Sequence, residues 1–283
     1  MNTTLTPLPL PEGVRAGYAD TAQGLHMHYL EAGYEEGVAE KPLLLLLHGF
    51  PELAFSWRHQ LPVLAAAGYH VVAPDQRGYG RTTGGDDRFD GDWQASHMLQ
   101  LVDDAVALVE ALGHRHVACV IGHDFGSPVA AWCALTRPDV FHAVVMMSSP
   151  FAGPPPSTDA LAVHQKITEV VHGLGSLQPP RQHYQWYYSG PQANTDMWQA
   201  PQGLHGFLRA YYHVKSADWT PNQPHPLPGW TAHAWAELPD YYIMGAKDTM
   251  AQAVAPFMPS SEDIAACQWL PDTELAVYVG EYQ

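Results

Sequence analysis

The stretch Cys119-Val120-Ile121-Gly122-His123-Asp124-Phe125-Gly126-Ser127 puts an aspartate where an apolar run must turn sharply into a helical one. Gly122 and Gly126 stand two residues to either side of it, the small-x-nucleophile-x-small spacing of a nucleophile elbow. Such a turn is strained and brings two backbones close together, which glycine permits. A carboxylate in that seat attacks an electrophilic sp3 carbon and becomes an alkyl ester. A serine there would attack a carbonyl and become an acyl ester. Asp124 is therefore the candidate nucleophile. The competing reading is a strand-end aspartate that merely caps the next helix. Ser127 lies past the turn, so serine-type ester chemistry is disfavoured.

The elements that must position Asp124 can be read around it. Residues 14–18 and 25–31 have strand character, joined by a turn at 20–24. Leu43 to Leu47 is an unbroken leucine run, too short to span a bilayer, and reads as a central strand buried on both faces. A helix is predicted over 54–66, stopped by Gly68, then a short strand over 70–73. Residues 96–112 form an amphipathic helix ended by Gly113. Strands over 116–121 and 141–147 flank the elbow, and a helix over 128–136 follows it. Alternation of this kind implies an α/β fold with a mainly parallel sheet and helices on both faces. At Ser148 the texture changes. Pro150, Pro154, Pro155 and Pro156 make a stiff linker, and the chain beyond is helical in places and crowded with tyrosine and tryptophan. A second proline-rich loop covers 219–230. The boundary is placed at 148/149, with a core over 1–148 and a cap, or lid, over 149–283.

Composition narrows the classes. The 283 residues are 46% hydrophobic and 15% charged, as in a globular protein, and long enough for a core with an insertion. The net charge is -16, with no basic run, which argues against nucleic acid or an anionic membrane as partner. The N-terminal residues lack the basic start and apolar stretch of a signal peptide. Three cysteines, Cys119, Cys133 and Cys267, fit reduced thiols of a cytoplasmic protein. Although there are 17 histidines, none has a spacing such as His-Glu-x-x-His, and no phosphate-binding glycine loop occurs. No metal or cofactor is expected.

Three motifs occur in order: Leu47-His48-Gly49-Phe50-Pro51, Asp75-Gln76-Arg77-Gly78-Tyr79-Gly80, and the elbow with Asp124. Together they resemble the α/β-hydrolase superfamily, and specifically the epoxide hydrolases, over nearly the whole chain from Gly13. The resemblance implies two cap tyrosines that donate hydrogen bonds to an epoxide oxygen. His183-Tyr184-Gln185-Trp186-Tyr187-Tyr188 matches the first such stretch, and Leu275-Ala276-Val277-Tyr278-Val279-Gly280-Glu281-Tyr282 the second. Tyr184 and Tyr278 are the candidates. It also implies oxyanion donors at the backbone of Phe50 and Phe125, with Pro51 fixing the loop that carries the first. Pro51, Trp57 and Trp186 are candidate pocket residues, although Trp57 also fits the core. His48, His123, Asp75 and Arg77 read as scaffolding, the two histidines as rings bonded to local backbone.

The chemistry implied is hydrolysis of an epoxide to a vicinal diol. Asp124 attacks a ring carbon while Tyr184 and Tyr278 protonate the opening oxygen. Water then attacks the ester carbonyl, and backbone donors hold the oxyanion. The family uses a histidine and an orienting acid after the cap for that second step, and no histidine follows His233. The expectation is an N-terminal portion of such a chain. It would lack the last core strands and the catalytic histidine, expose an apolar strand edge, and alkylate Asp124 faster than it releases the ester. A competing reading makes Tyr241 to Asp248 a core strand and acid loop, with Asp248 as orienting acid. Dehalogenases also use an elbow aspartate, but they place Trp or Arg after it, and some place Asn after His-Gly. Phe125 and Phe50 argue against them. A degenerate, non-catalytic aromatic binding module is the other alternative. The expected partner is a small apolar epoxide. Oligomeric state, a homodimer included, is not set by the sequence.

Overall fold

In a strand, neighbouring side chains point to opposite faces, yet all five leucines of β3 (Leu43–Leu47) are buried. The strand must therefore be covered on both sides. In the computed structural model, which describes residues 6–35, 41–86, 88–92, 96–151, 153–154 and 160–282, it is. Residues 1–5, Pro155 and Pro156 of the sequence reading fall outside the described residues. The chain forms two compact units, Met1–Ala152 and Gly153–Gln283.

The first unit is a six-stranded sheet in the order β1-β2-β4-β3-β5-β6. Its other strands are β1 (Val14–Asp20), β2 (His26–Ala32), β4 (His70–Pro74), β5 (Cys119–His123) and β6 (Val144–Met147). β1, β2 and β4 pair antiparallel, whereas β3 pairs parallel with β4 and β5, and β5 with β6. Leu43, Leu45 and Leu47 meet α2 (Met98–Ala111) and α3 (Gly126–Thr136) on one face. Leu44 and Leu46 meet Ala54, Trp57 and Leu61 on the other, where α1 (Gln60–Ala66) lies.

The single helix predicted over 54–66 is two pieces: a 3-10 turn over Ala54–Trp57, then α1. Pro62 explains the break. It lacks an N–H and its ring collides with the carbonyl four residues back, so it is tolerated only in a first turn. Helix α2 starts at Met98, where the His97 ring accepts the Leu99 and Gln100 amides at 3.1 and 3.2 Å. Strand β5 runs Cys119–His123 in place of 116–121, and Val117 makes only an isolated bridge to Phe141. Strand β6 begins at Val144 and sits at the sheet edge with all four residues exposed.

The second unit is mostly helical. It holds α4 (Ala160–Gly175), α5 (Tyr184–Tyr188), α6 (Ala193–Trp198), α7 (Gly203–Lys215), α8 (Ala232–Trp235), α9 (Met250–Val254), α10 (Ser261–Ala266) and α11 (Asp272–Glu281). Strands β7 (Arg181–His183) and β8 (Ile243–Gly245) make a separate antiparallel ribbon. This removes the reading of residues 241–248 as a core strand with an acid loop, because β8 pairs with β7 and Asp248 only closes the turn onto Gly245. No helix among the described residues is long and apolar enough to cross a membrane.

Candidate active site

Asp124 sits between the end of β5 and the start of α3 with φ of 51°, in the left-handed region. A non-glycine residue there is strained, and such strain marks functional turns. Gly122 and Gly126 make the turn possible. A Cβ on Gly122 would lie 2.0 Å from the Gly126 carbonyl oxygen, and one on Gly126 would lie 2.2 Å from the Leu47 carbonyl oxygen. The strand end, the turn and β3 are therefore packed backbone to backbone.

The capping alternative fails. The N-cap of α3 is Phe125, and no side chain caps that helix. The Asp124 side chain instead points across to the neighbouring loop, where the Phe50 amide donates to its Oδ1 at 3.1 Å. Its own amide donates to the Met147 carbonyl at 3.1 Å, which ties the turn to β6. The approach of the two loops is close. A Cβ on Gly49 would come within 2.3 Å of the Asp124 Cβ. Phe50 and Pro51 are joined by a cis peptide bond. The Phe125 ring is 44% exposed.

Two loops are sewn together behind this point. His48 is buried, and its Nδ1 donates to the Gly49 carbonyl at 2.8 Å while its Nε2 accepts the Gln76 amide at 3.1 Å. Both ring nitrogens are committed to backbone, as scaffolding requires, and burial holds the ring's pKa below its ordinary value. Asp75 is buried and accepts from the His28 ring at 2.7 Å, the Ala54 amide at 2.8 Å and the Arg81 amide at 3.1 Å. Burial alone would raise its pKa, but the His28 hydrogen bond and charge lead the effects that hold it below the usual carboxylate value. Arg77 grips Asp104 of α2 through two bonds of 2.7 Å. Asp75 and Arg77 are thus loop anchors.

Two neighbours of Asp124, Glu52 and Tyr79, were not singled out in the sequence. His123 pairs through Nδ1 with Glu52 Oε2 at 2.9 Å, a carboxylate on the facing loop and not only local backbone. The signal was available, since Glu52 directly follows Phe50-Pro51. Tyr79 packs edge-on against His48 at 5.1 Å between ring centres. Burial, with a smaller push from the Asp124 carboxylate, raises its pKa to about 12. Trp57 is buried in the core cluster with Leu44, Leu46 and Leu61. Among the described residues, no three His, Cys, Asp or Glu side chains are placed to hold a metal ion.

In the second unit Tyr184 opens α5, just after β7. Its amide donates to the Tyr242 carbonyl at 2.8 Å, and its ring lies 5.4 Å from that of Tyr242. Trp186, on the same short helix, is 50% exposed. Tyr278 is buried on α11 with its ring 5.5 Å from that of Tyr212 on α7.

A family model described as the alpha/beta hydrolase fold matches residues 42–168, which contain all three motifs. Epoxide hydrolase B of Mycobacterium tuberculosis is 49% identical over 112 residues, 40% of this chain and 30% of its own length. The chain thus matches less than a third of that curated relative's length. An epoxide hydrolase from an endophytic Streptomyces has a solved structure that superposes with a TM-score of 0.70 at 32% identity, over 96% of this chain and 68% of its own. Epoxide Hydrolase A from Mycobacterium thermoresistibile gives 0.69 at 28% identity, over 95% of this chain and 70% of its own. With the elbow carrying aspartate and the fold shared along nearly its whole length, the chain belongs to the epoxide hydrolases of the α/β-hydrolase fold.

Proposed function

We propose that this chain carries the ester-forming chemistry of an epoxide hydrolase, acting on a small apolar epoxide. The observation that carries the reading is Asp124 itself. It is a carboxylate held in a strained left-handed turn, with Oδ1 bonded to the Phe50 amide and Oδ2 not fixed by that bond. Attack by the carboxylate on a ring carbon breaks the C–O bond and leaves the epoxide oxygen with the electron pair. Tyr184 and Tyr278, on the second unit as cap, donate hydrogen bonds to that oxygen, and one of them supplies the proton. The product is a hydroxyalkyl ester on Asp124. When water attacks the ester carbonyl, negative charge develops on the oxygen that the Phe50 amide addresses. The Phe125 amide is its proposed second donor. As the tetrahedral intermediate collapses the carboxylate is regenerated, the proton released from the attacking water restores the tyrosine that gave up its own, and the diol leaves. Pro51 shapes the donor loop, and Trp57 and Trp186 are the proposed apolar lining.

The test is covalent capture. The purified chain is incubated with styrene oxide, and its intact mass and peptide map are followed. A single addition of one epoxide at Asp124, absent from Asp124→Asn, is the expected result. Addition elsewhere, or equal addition to the variant, overturns the reading.

A further inference from the structure

Tyr184 and Tyr278 stand almost a hundred residues apart in sequence, on α5 and α11. Donating to one epoxide oxygen requires that their hydroxyls keep a fixed separation to within a few tenths of an ångström. Neither short helix can set that alone. The element that touches the surroundings of both is α7, through its last turn.

On one side, the Tyr212 ring packs against Tyr278 at 5.5 Å and against Trp269 at 6.4 Å. On the other, the Lys215 ammonium lies over three tyrosine rings, 4.8 Å from Tyr211, 5.7 Å from Tyr241 and 5.6 Å from Tyr242. It also reaches the Tyr211 hydroxyl at 3.4 Å. Tyr242 in turn carries Tyr184, by the 2.8 Å backbone bond and the ring contact described above. Tyr212 and Lys215 are three residues apart, so they share a helix face. An ammonium held by ring faces and partly withdrawn from water is attracted to each of them. That attraction ties the last turn of α7 to the segment bearing Tyr242.

We propose that Tyr212 and Lys215 are positioning residues for the epoxide reaction: the last turn of α7 fixes Tyr278 through Tyr212 and Tyr184 through the Lys215–Tyr242 contact. This rests on the assignment of Tyr184 and Tyr278 as the proton donors. It gives a surface-proximal lysine and a tyrosine outside both matched motifs a role in the rate of ring opening. Neither touches substrate in this scheme.

Four variants of the full chain test it: Tyr212→Leu and Lys215→Met, with Tyr212→Phe and Lys215→Arg as conservative partners. Two readouts are taken, with far-UV circular dichroism confirming that each variant folds. The first needs no substrate. Tyrosine labelled at the ring carbon bearing oxygen gives resonances assigned by Tyr184→Phe and Tyr278→Phe. Tyr212→Leu is expected to broaden or split the Tyr278 line, and Lys215→Met the Tyr184 line, while Phe and Arg keep single sharp lines. The second is the concentration dependence of ester formation from styrene oxide. The Leu and Met variants should lose about ten-fold or more in the saturating rate, with the half-saturating concentration within about two-fold, and the conservative variants should restore it. Sharp, single Tyr184 and Tyr278 lines in the Leu and Met variants overturn the proposal, as does ester formation at the parental rate. If the parent forms no ester at Asp124 while the lines change as expected, the proposed reaction falls and the positioning role stands.

Discussion

The Phe50 amide donates to Asp124 Oδ1 across two loops that belong to different strand ends. That one bond orients the carboxylate before any substrate arrives. In the proposed reaction it also identifies which oxygen would carry the oxyanion when the ester is attacked. Its geometry depends on Gly49, where a Cβ would stand 2.3 Å from the Asp124 Cβ and 2.4 Å from Oδ1. Gly49→Ala must therefore push the loops apart. Since a misplacement of about 1 Å costs roughly 100-fold in rate, ester formation on Asp124 should fall by about that factor while the helical content stays unchanged. A mass time course with styrene oxide measures it. A parental rate would show that the Phe50 loop does not set the position of Asp124.

Asp75 holds the same loop from behind. It accepts from His28, Ala54 and Arg81, and the Ala54 amide belongs to the segment that leaves Phe50-Pro51. Asp75→Asn keeps the shape but removes the charge and one acceptor face. It leaves buried donors poorly matched. The expected cost is about 3–5 kcal/mol, as for a broken buried pair, read as a lowered urea midpoint. Because the folded pKa of Asp75 is depressed, its stabilisation is present above the unfolded value of about 3.9 and is lost as pH falls below it. The acid limb of the stability curve should accordingly be shallower in the variant. An equal midpoint and an identical acid limb would contradict the anchor role.

The legible parts of this molecule are those where local pattern and tertiary demand agree. Leu43 to Leu47 reads as a doubly covered strand and is one. The glycine spacing around Asp124 requires the turn that forms. Gly68 and Gly113 end their helices with φ of 98° and 81°. The missed features depend on partners distant in sequence. The start of β6 is set by pairing with β5, which residues 141–143 do not reveal. The break before α1 had a visible cause in Pro62, but the apolar spacing over 54–66 outweighed it. Glu52 had a local signal in its place after Phe50-Pro51, but its pairing with His123, 71 residues away, has no sequence pattern. The link from α7 to Tyr184 and Tyr278 joins elements that no motif connects.

His48 gives a pH prediction. With Nδ1 donating to Gly49 and Nε2 accepting from Gln76, the neutral ring is the bonded form. Protonation would set an N–H against the Gln76 N–H, and burial opposes the charge as well. The folded pKa lies below the unfolded value of about 6.5. The unfolded chain therefore binds the proton first, and the stability His48 contributes is present above pH 6.5 or so and lost as pH falls towards its folded pKa. Urea denaturation of the parent and of His48→Gln at a series of pH values should show their difference shrinking below that point. A difference that is constant down to pH 5 or so would mean that the ring is not held neutral.

Strand β6 makes the last prediction. Val144, Val145, Met146 and Met147 are 36%, 45%, 45% and 42% exposed, on an edge strand bonded to β5 alone in the sheet order. A strand that alternates faces and still exposes every residue leaves both faces open, with a row of unpaired backbone groups beside them. Such edges template association, and native sheets usually blunt them with charge. None of the four residues is charged. The isolated chain should self-associate as its concentration rises towards roughly 100 μM, and it should bind an apolar dye. Val145→Lys combined with Met146→Lys puts one charge on each face without touching the Met147 carbonyl that receives the Asp124 amide. Sedimentation velocity should show the double variant monomeric where the parent is not. A parent that stays monomeric across that range, or a variant that associates equally, would place the association surface elsewhere.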